Sequence, residues 1–203
     1  MRKACPWMVV LFVFVFSGAA NATLIDNGNG TITQIRGDGT RLMWLQDANY
    51  ASTSGYDSNG KMTWSAAMTW VSGLVYGGYD DWRLPMAFPV FGYNNMISEL
   101  GNIYYVELSN IAGGPLTNTL PFENLEADNY WFATEDEFSP ETAAWHFQFW
   151  NGYQHTAMKE AHDMHAWAVR DMSPVPEPST MLLLGSGLVG LAGFRRKMKG
   201  RGR

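Results

Sequence analysis

Two apolar runs, one at each end, most constrain what this chain can fold into, because only the stretch between them is free to build a body in water. The first, Met8-Val9-Val10-Leu11-Phe12-Val13-Phe14-Val15-Phe16, follows Arg2 and Lys3 and precedes Ala20-Asn21-Ala22. A basic start, an apolar centre and a small-residue A-x-A site in that order read as a secretory signal peptide over residues 1–22, with cleavage expected after Ala22. The second run, residues 181–194, lies between Val175-Pro176-Glu177-Pro178-Ser179-Thr180 and Arg195-Arg196-Lys197. It is shorter than the roughly 20 residues of a full span, but Ser179 and Thr180 extend it and flanking cations reach the interface. A membrane helix is therefore expected over about 179–194, within a tail covering residues 173–203. The cations that follow it stay on the cytoplasmic side and place the body outside.

Loss of residues 1–22 removes Cys5, the only cysteine, so the body over 23–172 has no disulfide, zinc–thiolate site or cysteine nucleophile. An apolar fraction of 46% and an aromatic fraction of 14% exclude a disordered chain, and twelve Met and nine Trp supply packing volume for one domain. Most cations sit at the two ends. Between residues 23 and 173 six Arg and Lys face eighteen Asp and Glu, a net charge of −12. Such a surface repels phosphate and sulfate, which excludes nucleic acid and disfavours sulfated glycans while leaving cations and neutral sugars open.

Along the body, the cluster Asn27-Gly28-Asn29-Gly30 predicts a turn, and strands at 31–35 and 42–45 around Gly37-Asp38-Gly39-Thr40 predict a hairpin. Asp26-Asn27-Gly28-Asn29-Gly30 lacks the alternating acidic ligands of an EF-hand and reads as a structural turn. Residues 48–61 read as a surface loop. Thr63 is placed to cap a helix whose inner face carries Trp64, Ala67, Met68, Val71 and Val75, ending at Gly77-Gly78. A second helix is expected near 95–104, strands at 130–134 and 143–150, a turn at Gly152, and a last strand ending Val169-Arg170.

Two resemblances follow from these motifs. The Pro176-Glu177-Pro178 motif, the apolar helix and the basic stop resemble the PEP-CTERM sorting signal, which implies processing near the motif by a membrane enzyme, exosortase, in exopolysaccharide-making Gram-negative bacteria. The run Gly78-Tyr79-Asp80-Asp81-Trp82-Arg83-Leu84-Pro85, with Gly30-Thr31-Ile32-Thr33, Leu42-Met43-Trp44, the Thr63-Trp64 helix start, Tyr130-Trp131-Phe132-Ala133-Thr134 and Ala144-Trp145-His146-Phe147, resembles the Lcl C-terminal domain. That resemblance covers residues 26–171 and implies an α+β fold, a C-type-lectin-like or sulfatase-modifying-factor-like mixed body with short antiparallel strands and two helices. This chain departs from the family pattern in having Met86 rather than Thr after Pro85, in lacking body cysteines, and in carrying an apparent insertion over 87–93. The cysteine or copper–thiolate chemistry of sulfatase-modifying relatives does not transfer.

Asp80, Asp81, Arg83 and Arg170 are expected to form a structural ion-pair network, since a partly buried Arg demands such partners. Alternation along 143–150 puts Trp145, Phe147 and Phe149 toward the core and His146, Gln148 and Trp150 on the other face, where an aromatic ring beside polar groups suits a sugar. The same face also reads as a sheet surface covered by a loop. His155, His162 and His165 among Glu160 and Asp163 have no defined metal-ligand spacing, and Glu135-Asp136-Glu137 reads as a solvated run with calcium as its alternative; no metal or other cofactor is expected. No triad or two-carboxylate cleft can be read.

The sequence thus predicts an exported, noncatalytic binding or structural protein of the envelope or exopolysaccharide matrix. It would be held at the inner membrane by its C-terminal helix and then released to the cell surface. The alternatives are a glycosidase-like enzyme using Glu135 or Asp136, and a subunit of a surface complex.

Overall fold

The protein is described by a computed structural model over residues 23–172. The signal peptide over 1–22, the membrane helix near 179–194 and the motif Pro176-Glu177-Pro178 lie outside the described residues. Among the described residues no helix is long and apolar enough to cross a membrane.

The strands are β1 (Thr23–Asp26), β2 (Thr31–Ile35), β3 (Arg41–Leu45), β4 (Lys61–Met62), β5 (Asn129–Glu135), β6 (Ala143–Gln148), β7 (Tyr153–Met158), β8 (Met164–His165) and β9 (Val169–Asp171). The helices are α1 (Tyr50–Thr53), α2 (Trp64–Ser72) and α3 (Glu99–Asn102), the last running on into a π-helical turn, Ile103–Glu107. One sheet has the order β1-β2-β3-β9 and is antiparallel throughout; the other has the order β4-β8-β5-β6-β7. Within the second sheet only β5 and β8 run parallel, with Tyr130 beside His165. The architecture is α+β.

The expected hairpin forms with Ile32 opposite Trp44. Its loop closes through Asp38, whose carboxylate accepts the Thr40 amide at 2.9 Å, and through Gly39, whose φ of 84° suits glycine. Buried tryptophans tie the layers together, because a buried indole N–H needs an acceptor. Trp167 donates to the Leu45 carbonyl at 2.8 Å in the first sheet and meets Tyr130 of the second and Phe149 of the turn after β6. Trp131 donates to the Met62 carbonyl at 2.9 Å, and Trp64 to that of Phe132 at 2.8 Å. Trp44 donates at 2.9 Å to the fully buried Gln34, whose amide nitrogen reaches Asn102 and Glu107, so the first sheet is bound to α3 and the π-helical turn after it.

Four local expectations need correction. Thr63 does cap α2, accepting the Ala66 amide, but the helix stops at Ser72, where Gly73 serves as its cap. Val75 is left outside and 71% exposed, while Gly77 and Gly78, both at positive φ, make a separate tight turn between Tyr76 and Tyr79. The loop over 48–61 contains α1 and the start of β4. The second helix begins at Glu99 rather than near 95, because the Asn95 side chain instead bonds the Phe88 and Val90 carbonyls and holds that loop. The strand over 143–150 ends at Gln148, where the Gly152 amide turns back to its carbonyl at 2.7 Å.

Candidate functional site

Three groups of side chains stand out. At the closing edge of the first sheet, Arg83 makes two bonds of 2.8 Å to Glu99 and two more, of 3.0 and 2.8 Å, to Asp171. Glu99 is buried and also accepts the Met86 amide at 2.7 Å. Arg170 grips Asp81 at 2.6 and 2.9 Å and lies over the Tyr79 ring. The hydrogen bonds to these guanidinium groups hold the Asp171 and Asp81 carboxyls below the usual range. Arg83, Arg170 and Asp81 are thus ion-paired, whereas Asp80 stays exposed. The main acid partner of Arg83, Glu99, and its second, Asp171, carried no local motif that would have singled them out.

The second group lies along β7. Gly92 pairs with Gln154 through two backbone bonds of 3.0 Å, so the 87–93 loop is pinned at that one point to the outer edge of β7. This seats Phe91 4.6 Å from the Trp145 ring and 5.1 Å from that of His155, and Tyr93 4.9 Å from Tyr153. Phe91 and Tyr93 remain about half exposed, at 52% and 45%. Trp145, Phe147 and Phe149 are core residues, matching their expected face. Of the three residues expected on the other face, His146 is buried at 6% exposure, Gln148 is half-buried and Trp150 is 48% exposed in the turn after β6. Strand pairing sets His146 opposite His155 and Gln148 opposite Tyr153. Burial, with His155 and His162 adding, pushes the His146 pKa down to about 4. His146 is therefore a neutral, covered side chain rather than an open ligand contact.

The third group unites β8 with the segment before β5. His165, fully buried and stacked on Tyr130, points Nε2 at Glu126 Oε2 (3.6 Å) and Asp128 Oδ2 (3.8 Å). Asn49 donates to the other Glu126 oxygen at 3.1 Å, the Asn129 amide to the other Asp128 oxygen at 2.7 Å, and Lys61 pairs with Asp128 Oδ2. His165 thus leaves the histidine-rich segment in which it sits in sequence, while His155, His162, Glu160 and Asp163 are exposed. Glu135, from the acidic run, binds Lys159 at 2.6 Å. In the first turn Asp26, Asn27 and Asn29 spend oxygens on the Gly28 amide, the Thr33 hydroxyl and Thr31 respectively, as a structural turn requires.

A two-sheet α+β body joined to a processed export tail defines a surface-delivered module. The PEP-CTERM protein-sorting motif matches residues 174–197, which makes the protein an exported substrate of exosortase, held at the membrane by its C-terminal region. The Lcl C-terminal domain matches residues 33–170, and the chain belongs to that family. No curated protein matches the chain significantly.

Proposed function

We propose that this is a noncatalytic recognition protein of the cell surface or extracellular matrix, whose C-type-lectin-like body binds neutral carbohydrate along the aromatic edge of β7. Phe91 and Tyr93 carry this reading. Both rings are exposed yet braced from beneath by Trp145, His155 and Tyr153, and rigid aromatic faces of this kind stack on the apolar face of a sugar ring. The acidic body supports a neutral rather than a sulfated ligand. Exopolysaccharide outside the cell, reached once the tail is processed, is the ligand pool such a protein meets first. Glu135, one of the two carboxylates considered for hydrolysis beside Asp136, is tied to the buried Lys159, which supports binding over catalysis.

The test is retention of the full chain on neutral polysaccharides and a glycan array, with Phe91→Ser, Tyr93→Ser and Trp150→Ala beside the wild type. Binding lost in the first two variants is the expected result. Retention unchanged in Phe91→Ser, or release of reducing ends from a polysaccharide, would overturn it.

A further inference from the structure

We infer that Glu126, Asp128 and His165 form a binding site for one divalent transition-metal ion, with zinc as the representative ion, pinning the segment before β5 to β8. The side chains come from separate parts of the chain, yet one ligand atom from each lies within 4.8 Å of the others. Acidic residues that meet at a surface do not by themselves make a site. What distinguishes this one is the imidazole: His165 is fully buried, and neither ring nitrogen has a hydrogen-bond partner. A buried polar atom left unpaired costs about 1–3 kcal/mol, so folded proteins keep such groups only where something satisfies them.

The distances bear on what that something is. At 3.6 and 3.8 Å, Nε2 is too far from either carboxylate for a hydrogen bond. An ion with bonds of about 2.0–2.2 Å to nitrogen and oxygen spaces its ligand atoms by about 3.0–3.5 Å, so closing a set that now lies within 4.8 Å needs side-chain movements of about 1 Å or less. The two carboxylates can make them, since their side chains are 51% and 30% exposed, while the imidazole stays fixed on Tyr130. Their outer oxygens are already held by Asn49 and by the Asn129 amide, which turns Glu126 Oε2 and Asp128 Oδ2 toward the ring.

Charge and ligand type narrow the ion. The Lys61 ammonium now sits on Asp128 Oδ2, showing that this oxygen accepts a cation; its partly exposed side chain can swing to solvent when a stronger one binds. A neutral imidazole offers a lone pair to a metal, and His165 Nε2 spends its own on no other group. One imidazole with two carboxylates suits zinc or manganese, whereas calcium prefers oxygen alone.

The experiment strips the full chain in detergent with a chelator, re-equilibrates it with zinc, and measures bound metal and thermal unfolding. One zinc per chain and a rise in Tm are expected. Binding should be lost in Glu126→Gln and in Asp128→Asn but kept in a His155→Gln/His162→Gln variant, which removes exposed histidines able to bind zinc adventitiously. Zinc binding unaffected by Glu126→Gln, lost with the exposed histidines, or replaced by stoichiometric calcium would overturn the assignment. X-ray absorption on the zinc-loaded wild type decides the matter even where a variant does not fold: one imidazole among oxygen ligands is expected, and two or more imidazoles would refute it.

Discussion

Arg83 holds Glu99 through two parallel hydrogen bonds of 2.8 Å and, with its remaining edge, Asp171 at 3.0 and 2.8 Å. One guanidinium thereby joins the start of α3 to β9. Glu99 is buried, so Arg83→Ala leaves an uncompensated carboxylate and is expected to lower stability by about 3 kcal/mol. The Asp171 side chain is 70% exposed, and Asp171→Asn should cost less than about 1 kcal/mol. Chemical denaturation of the two variants measures the difference, and equal losses would refute the unequal roles assigned to the two acids.

Acid should weaken the body well above the ordinary carboxylate range. His146 has a pKa of about 4 in the folded chain against 6.5 for the free side chain. Between those values the unfolded chain binds a proton that the folded chain refuses, so this contribution is fully present above pH 6.5 and is lost as pH falls toward 4. The loss is about 3 kcal/mol, and His165, whose pKa is also lowered by burial, acts in the same direction. Asp81 and Asp171, with lowered pKa values, add a further loss only below their ordinary range. Denaturation midpoints at pH 7, 5.5 and 4.5 should fall steadily in the wild type and more gently in His146→Gln.

Gly101 is a packing position. A Cβ added there would stand 2.0 Å from the Asn95 carbonyl oxygen, which is backbone and cannot rotate away. Gly101→Ala is expected to cost about 1–3 kcal/mol, seen as a lowered Tm. A Tm equal to the wild type's would show that the 95–101 segment shifts freely.

Sulfated polysaccharide should be excluded by the body. Six cations against eighteen acids give a repulsive field, so retention on a heparin-like matrix is expected to be negligible at low salt, where attraction would be strongest. Retention that salt then abolishes would contradict this.

Much of the fold was legible because its signals are local. Alternation and a Gly-Asp-Gly turn specify β2 and β3, and Thr63 marks the start of α2 by offering an acceptor to an amide that the helix cannot satisfy. Helix ends were harder to place: Gly73, not Gly77-Gly78, stops α2, and sequence alone does not rank neighbouring glycines. The candidate sites were only half legible for a related reason. Arg83 and Arg170 announce a need for acids, but nothing in the sequence joins Arg83 to Glu99 or to Asp171, which stands beside Arg170 yet pairs with Arg83. His165 was visible as a possible ligand within a histidine-rich loop, yet its neighbours in space are Glu126 and Asp128, joined to it by the pairing of β5 with β8. His146 and Trp150 alternate correctly with the core residues, but the turn after Gln148 takes Trp150 out of the strand, and burial closes His146.

The order of strands in the first sheet has a consequence for timing. β3 lies between β2 and β9, so this sheet is finished by the last strand of the body, and the two anchoring arginine pairs need Arg170 and Asp171 from that strand. A chain entering the envelope amino end first cannot complete that sheet until residue 171 has cleared the export channel. Only residues 173–175 then separate the body from Pro176. The strand that closes the first sheet and the motif that exosortase reads are therefore near neighbours along the thread, so the chain offers little slack between its fold and its sorting signal.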